Sequence, residues 1–394
     1  MAAPIALPAR RLVIDGKCRP HPVAVADPTH FRHHDGGVAD ARIVLTSPNI
    51  SLYCLDPARR EAIFVEVSSD VDLAAAPFYY QVQYESATGL IAVGFEVLHE
   101  LADSVPDPGR LLLLYSVGRC GSTVISRMLR ETPGVLALSE PDVFTQLTML
   151  REAGELTDDE VAALVRTCTR IVCAPAAEQV VAIKFRSFAV DLATIFADHF
   201  PTSRAVFLYR DAIGWATSTM RAFGPSQTAS VASQIASQDR HALLLPLLAQ
   251  YRQAQGRLLT QHEMMACHWV ALMRGALSWQ ATGAELFALR YRDLVTSPQA
   301  ALAALYTYMK VPPPADSVLE AVLAADSQAG TALARDALDH KPQGEIDVAA
   351  LIGIIAELES GRGPTRLSTD TILPGTWAPN FPVPSLPPGI SLSS

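Results

Sequence analysis

LLLLYSVGRCGSTVISRML, residues 111–129, reads as a strand, a glycine-bearing loop and a helix in direct succession. The apolar run Leu111 to Tyr115 has the length and continuity of a strand buried on both faces. Val124, Ile125, Met128 and Leu129 then recur at the spacing of one helical face. Between the two, Gly118 and Gly121 permit backbone angles that turn successive N–H groups toward one point. The amides in the first turn of the helix add partial positive charge at the same place. Ser122 and Thr123 offer hydroxyls and Arg119 a full charge, so the segment predicts an anion cradle suited to phosphate. A plain strand-to-helix turn capped by Ser122 is the alternative. A nucleoside triphosphate loop of the form GxxxxGK[ST] needs Lys after its last glycine; Ser122 stands there instead, which disfavours ATP and GTP.

Further buried runs follow at VVAIKF (180–185), AVFLYR (205–210) and ELFALRY (285–291). Helical patterns lie between and after them, at Leu192, Ile195, Phe196 and Phe200 and at Leu302, Leu305, Tyr306 and Met309. Strands alternating with helices predict an α/β fold, a parallel sheet with helices on both faces. Upstream of Asp107-Pro108-Gly109 the character differs. The short runs RIVLTS, ISLYCL, AIFVEVS and FYYQVQY, separated by turn residues, predict a β-rich, antiparallel accessory region over 1–108. The expected organisation is that region, an α/β domain over 109–345, and a C-terminal helix with a Pro-rich tail over 346–394, whose last 34 residues hold seven prolines. Gly224 to His262, broken by Pro225 and Pro246, reads as an insert, either covering a substrate site or forming a helical hairpin on the surface.

With 394 residues, 49% hydrophobic and 18% charged, the chain can bury a large core, and wholesale disorder is excluded. Mean hydropathy is +0.21, yet no apolar stretch approaches the ~18 residues of a bilayer span. The opening MAAPIALPARRLV lacks the basic start and apolar core of a secretory signal, and a cytoplasmic protein is expected. A net charge of −9 argues against nucleic acid as a partner, so any anionic ligand must meet a local cationic pocket. The six cysteines are scattered without CxxC spacing and read as buried thiols. HEMMACH (262–268) misses the zinc-helix pattern because Ala266 stands four residues after His262. His30, His33 and His34 beside Asp35 fit a polar loop better than a metal site.

A second constellation, FLYRDAIGWATSTMR (207–221), places Arg210 at a strand's carboxyl end, where open α/β sheets bind ligands, and Ser218 eight residues on. Arg supplies a rigid fork for phosphate and Ser a hydroxyl to complete the cradle, an Arg210–Asp211 pair being the alternative. Together with the loop, this stretch resembles the PAPS-dependent sulfotransferase family, over residues 110 to about 310 and with a pattern nearest the tyrosylprotein and carbohydrate branches. The resemblance implies a P-loop NTPase-like fold. It implies that Gly118, Arg119, Cys120, Gly121, Ser122 and Thr123 hold the 5′-phosphosulfate end of PAPS, that Arg210 and Ser218 hold its 3′-phosphate, and that PAP is the product. LRYRDLVTSPQAALAALYTYM (289–309) is similar to the family's YEDL-type strand and helix, with Arg292 where Glu is usual, and sets Tyr291 near the nucleotide.

In those branches a Glu about twenty residues past the loop Arg acts as catalytic base, and Glu140 stands twenty-one after Arg119. The resemblance therefore assigns Glu140 as base, with Lys184 and Arg119 opposing charge on the transferring group, and implies no metal. A helix cap or an ion pair is the alternative role for Glu140. Ser327 and Lys341, in DSQAGTALARDALDHKP (326–342), are candidates for a loop returned over the nucleotide, with helix capping and plain solvation as their alternatives. Cys120 replaces the usual Ser of the loop, and amides and cations around it predict a thiolate sensitive to oxidation or alkylation. Trp215 reads as core. The implied reaction is sulfuryl transfer to a hydroxyl or amine of a small molecule, glycan or peptide. Another nucleotide-dependent transferase such as a kinase, a non-catalytic PAP-binding protein and a scaffold module are the competing readings. The sequence assigns neither the acceptor nor the oligomeric state.

Overall fold

The computed structural model describes residues 7–176, 179–224, 230–331, 333–340, 345–361 and 366–379. In the N-terminal region β1 (Pro8–Lys17), β2 (Phe31–Asp40), β3 (Ile50–Asp56), β4 (Glu61–Val67) and β5 (Ala87–Gly94) form an antiparallel sheet in the order β2-β1-β5-β4-β3. The second sheet is parallel throughout. Its strands β6 (Arg110–Ser116), β7 (Val135–Ser139), β8 (Val180–Lys184), β9 (Arg204–Tyr209) and β10 (Leu286–Arg290) run in the order β10-β9-β6-β8-β7.

The apolar run of β6 fills the centre of this sheet, and every residue from Leu111 to Ser116 is buried, as a strand covered on both faces requires. From β6 the chain steps to one side for β7 and β8, then to the other for β9 and β10. The reversal opens a crevice at the carboxyl end of β6, where ligands bind in open α/β sheets. Flanking helices include α1 (Ser122–Arg130), α2 (Asp158–Cys173), α3 (Ala212–Phe223), α4 (Val231–Ala242), α5 (Pro246–Gln255), α6 (Gln261–Ala281) and α7 (Val348–Leu358). Thr157 with Glu160 and Thr260 with Glu263 close capping boxes that start α2 and α6. The second of these gives Glu263 of HEMMACH its role. The stretch beginning at Gly224 contributes the helical pair α4 and α5, and its residues 225–229, Pro225 among them, lie outside the described residues. Among the described residues no helix is long and apolar enough to cross a membrane.

Several elements differ from the sequence-based expectation. RIVLTS folds as the helix Ile43–Thr46, because Asp40 accepts the Arg42 amide at 3.0 Å and turns the chain. FYYQVQY folds as the helix Tyr79–Ser86. Its aromatic content suggests a strand, but Tyr80 and Gln83 are the buried pair, one helical turn apart, and Gln83 donates to the Leu52 carbonyl (3.0 Å) and the Ser51 hydroxyl (2.8 Å). The histidine stretch is not a loop. His33, His34 and Asp35 lie in β2 opposite β1, His34 contacts Asp15 at 2.8 Å, and buried His30 meets the Tyr53 hydroxyl at 2.9 Å. Among the described residues no His, Cys, Asp or Glu cluster suits a metal ion. Strand β7, VLALS, is an addition to the strands expected from the sequence.

One hydrophobic core joins the two sheets, running from Leu52, Phe64 and Ile91 to Leu112, Phe144 and Phe196. Polar side chains fasten the junction. Buried Gln146 donates to the Leu55 carbonyl at 2.8 Å and accepts its N–H at 2.7 Å, so its amide substitutes for a neighbouring strand beside β3. Buried Asp142 accepts the Ala26 amide at 2.8 Å and pairs with Arg186 at 3.1 Å. At the far edge of the parallel sheet the tail returns beside β10, with Trp377 N–H donating to the Ala288 carbonyl at 2.9 Å and the Trp377 ring buried. Residues 380–394 lie outside the described residues. Replacing Gln146 by Ala leaves two backbone groups of Leu55 without partners. The expected cost is about 1–3 kcal/mol, read as a lower urea midpoint at unchanged m-value.

Candidate functional site

The loop after β6 is held open by its glycines. Gly118 (φ +74°) and Gly121 (φ +85°) lie in the left-handed region, and a Cβ at Gly121 would sit 3.0 Å from Leu294 and 3.5 Å from the Tyr291 ring. Helix α1 starts immediately afterwards with no side chain capping it. Its first intrahelical bonds come from the amides of Val124 and Ile125 to the Gly121 carbonyl (3.0 and 3.2 Å); the Ser122 amide is turned to the Cys120 sulfur, and the Thr123 amide is left available to an anion. The capped-turn alternative for Ser122 is therefore not what forms. Cys120 corrects an expectation: its side chain points away from the crevice, Sγ–H donating to the Leu208 carbonyl at 3.3 Å, and it has no exposed surface. Burial pushes its pKa up to about 11 against the opposing hydrogen bonds from Ser116 and Ser122. The thiol is an inert core group rather than a reactive one.

Arg119 itself adopts φ +52° and sends its guanidinium across the crevice. Nε donates to the Ser218 hydroxyl at 3.1 Å and Nη1 to the Gln328 side-chain carbonyl at 3.0 Å. Burial, and next the neighbouring charge of Arg210, lower its pKa. Arg119 thus reaches Ser218, with the charge of Arg210 beside it. The Arg210 guanidinium lies 4.5 Å from the Tyr291 ring centroid. Among the described residues Arg210 has no carboxylate at ion-pair distance; Asp211 instead caps α3, accepting the Gly214 amide at 2.7 Å. Gln328 escaped the sequence reading as a site residue. It sits in a turn built by Asp326, whose carboxylate accepts the amides of Gln328 (3.0 Å) and Arg335 (2.7 Å) and whose carbonyl accepts from Arg127 (2.8 Å). Ser327 is half-buried in the same turn, and Lys341 lies outside the described residues.

Glu140 follows directly on β7 and Lys184 ends β8, so parallel pairing brings them together from positions far apart in the chain. The Glu140 amide donates to the Lys184 carbonyl at 2.7 Å, and the Lys184 ammonium pairs with the Glu140 carboxylate. Their side chains are only 4% and 12% exposed, which makes this a desolvated pair at the edge of the crevice. Glu140 holds φ +65°. Among the described residues Arg60, Arg119, Glu140 and Lys310 are the non-glycine positions with positive φ, and two of the four are candidate site residues. Lys184 Nζ lies 5.8 Å from the Phe78 ring centroid. Trp215 is core, its Nε1–H donating to the Val117 carbonyl at 2.8 Å.

No protein-family model matches the sequence, and none of the curated proteins matches it. Among solved structures the chain is similar to a sulfotransferase domain from the curacin biosynthetic pathway, at 15% identity over 64% of this chain and 97% of that one, with a TM-score of 0.34. It is similar to sulfotransferase STF9 from Mycobacterium avium at 16% identity, 66% and 78% coverage and a TM-score of 0.35. For a sulfotransferase from Alicyclobacillus acidocaldarius the values are 13%, 56% and 91%, and 0.32.

Iodoacetamide at mildly alkaline pH is expected to label exposed Cys18 first and to spare Cys120 until the protein unfolds. Peptide mass spectrometry reads the order, and early modification at Cys120 would place that thiol in the crevice after all.

Proposed function

We propose that the chain transfers a sulfuryl group from PAPS to a hydroxyl or amine of an acceptor, with PAP as the other product. Above all, the convergence of three separate groups at the carboxyl ends of β6, β7, β8 and β9 supports this reading. They are the start of α1 after Gly121, which no side chain caps, the Arg119–Ser218–Arg210 cluster, and the buried Glu140–Lys184 pair. A carrier anionic at both ends matches the first two, the loop amides taking the phosphosulfate and the arginine cluster the 3′-phosphate. The fit is also one of charge, because these cations stand in a chain of net charge −9.

The donor supplies an activated sulfuryl group; the chain supplies position and charge. Glu140 accepts the proton of the acceptor hydroxyl as the new oxygen–sulfur bond forms and the bond from sulfur to the phosphate oxygen breaks. Lys184, whose partner carboxylate is then neutralised, is left to oppose the negative charge moving toward the leaving phosphate. With the Arg119 guanidinium on Ser218, Lys184 is the cation nearest this step. The loop carries no Lys, which separates this arrangement from a triphosphate site.

In thermal-shift titrations PAP is expected to raise the melting temperature and ADP to have little effect; the reverse order would favour a kinase-like donor. Glu140→Gln keeps a hydrogen-bonding side chain beside Lys184 and is expected to lower turnover by ~10²–10⁴ while PAP affinity stays unchanged. Full turnover would remove Glu140 as the base. Arg210→Ala removes a charge-assisted contact of ~1.5–3 kcal/mol, so calorimetry should show PAP binding weakened by about tenfold or more. Unaltered affinity would overturn the phosphate assignment.

A further inference from the structure

Beside Glu140 the fold gathers cations that its carboxylates do not match. Arg19 and His21 come from the connection between β1 and β2, Arg186 follows β8, and Arg240 and His241 end α4. The Tyr80 ring ties them together: the Arg19 guanidinium lies 4.7 Å from its centroid and that of Arg186 4.9 Å. Tyr80 in turn stands 6.3 Å, centroid to centroid, from Phe78, the ring beneath Lys184. An unbroken series of contacts therefore leads from Glu140 to Arg19.

The neighbouring carboxylates are already engaged, Glu140 by Lys184 and Asp142 by Arg186. Among the described residues neither Arg19 nor Arg240 has an ion-pair partner; the Arg19 guanidinium donates to the Ala24 carbonyl, but its buried Nε and the buried His21 Nε2 have no hydrogen-bond partner. Burial, and after it the charges of Arg240, Arg19 and Arg186, hold the His21 pKa below its ordinary value. Buried polar atoms without partners cost free energy that a bound anion would return. Arg240 is exposed while Arg19 and His21 are half-buried, so the positive charge runs from the surface inward toward Glu140.

Resting on the sulfotransferase reading and deepening it, we propose that Arg19, His21 and Arg240 form the acceptor's recognition site. The acceptor is a small hydroxy compound bearing a carboxylate or phosphate, the anionic group held by these three residues and the hydroxyl facing Glu140. The N-terminal antiparallel region then selects the acceptor, and the parallel sheet binds the carrier.

The test compares matched pairs by calorimetry, with and without PAP: 4-hydroxybenzoate against 4-hydroxybenzamide, and glycerol 3-phosphate against glycerol. The anionic member of at least one pair should bind about tenfold or more tighter, and the pair that shows it distinguishes carboxylate from phosphate. Arg240→Gln, on an exposed helical position, and Arg19→Gln should each bring the pair close to parity without changing PAP affinity. Equal binding within both pairs, no binding of any of the four compounds, or a preference that survives both substitutions would overturn the proposal. PAP titrated alone reports separately on the carrier: a wild-type protein that prefers the anions but ignores PAP would keep the anion site and sink the sulfotransferase reading.

Discussion

A strand buried on both faces can spend its side chains only on packing, so whatever chemistry the sheet supports must sit where its strands end. In this protein that constraint falls on β6. Its apolar residues anchor the centre of the parallel sheet, and the strand order turns around it, so the loops after β6 and β9 diverge and leave a crevice between them. Arg119 and Ser218, 99 positions apart, meet across that gap. On the other flank the pairing of β7 with β8 brings Glu140 against Lys184. Backbone hydrogen bonding in the sheet thus sets the distances between groups that the sequence scatters.

The two candidate residues with positive φ show how far the crevice departs from relaxed geometry. A left-handed backbone at Arg119 or Glu140 is unfavourable for a side chain with a Cβ, and it persists because the surroundings fix both ends. For Glu140 the fixing contact is its amide on the Lys184 carbonyl, one bond beyond the regular β7–β8 ladder. The same residue pair is therefore joined twice, through main chain and through side chains.

Much of this was legible in the chain. Four parallel strands announced themselves as buried runs, and Gly118 and Gly121 marked the turn that joins β6 to α1. Strand β7 was missed, although it is as long as β8 and β10. Aromatic content misled at FYYQVQY, where the helix is decided by Gln83 reaching a carbonyl in another strand. Cys120 misled for a related reason: sequence places it between charged and glycine neighbours, but only three dimensions show its thiol turned into the core. Gln328 lies in the stretch 326–342 that the sequence marked as a candidate loop, but the choice there fell on Ser327 and Lys341, because only the turn that Asp326 builds aims Gln328 at Arg119.

The strap formed by residues 366–379 bears on how the molecule can be handled. By laying Thr376 and Trp377 alongside Ala288 it occupies hydrogen-bonding positions that β10 would otherwise present to solvent, and a bare parallel edge of that kind invites strands from other copies. A purification tag or fusion partner belongs downstream of this strap, since trimming upstream of Thr376 would trade a sealed flank for an adhesive one.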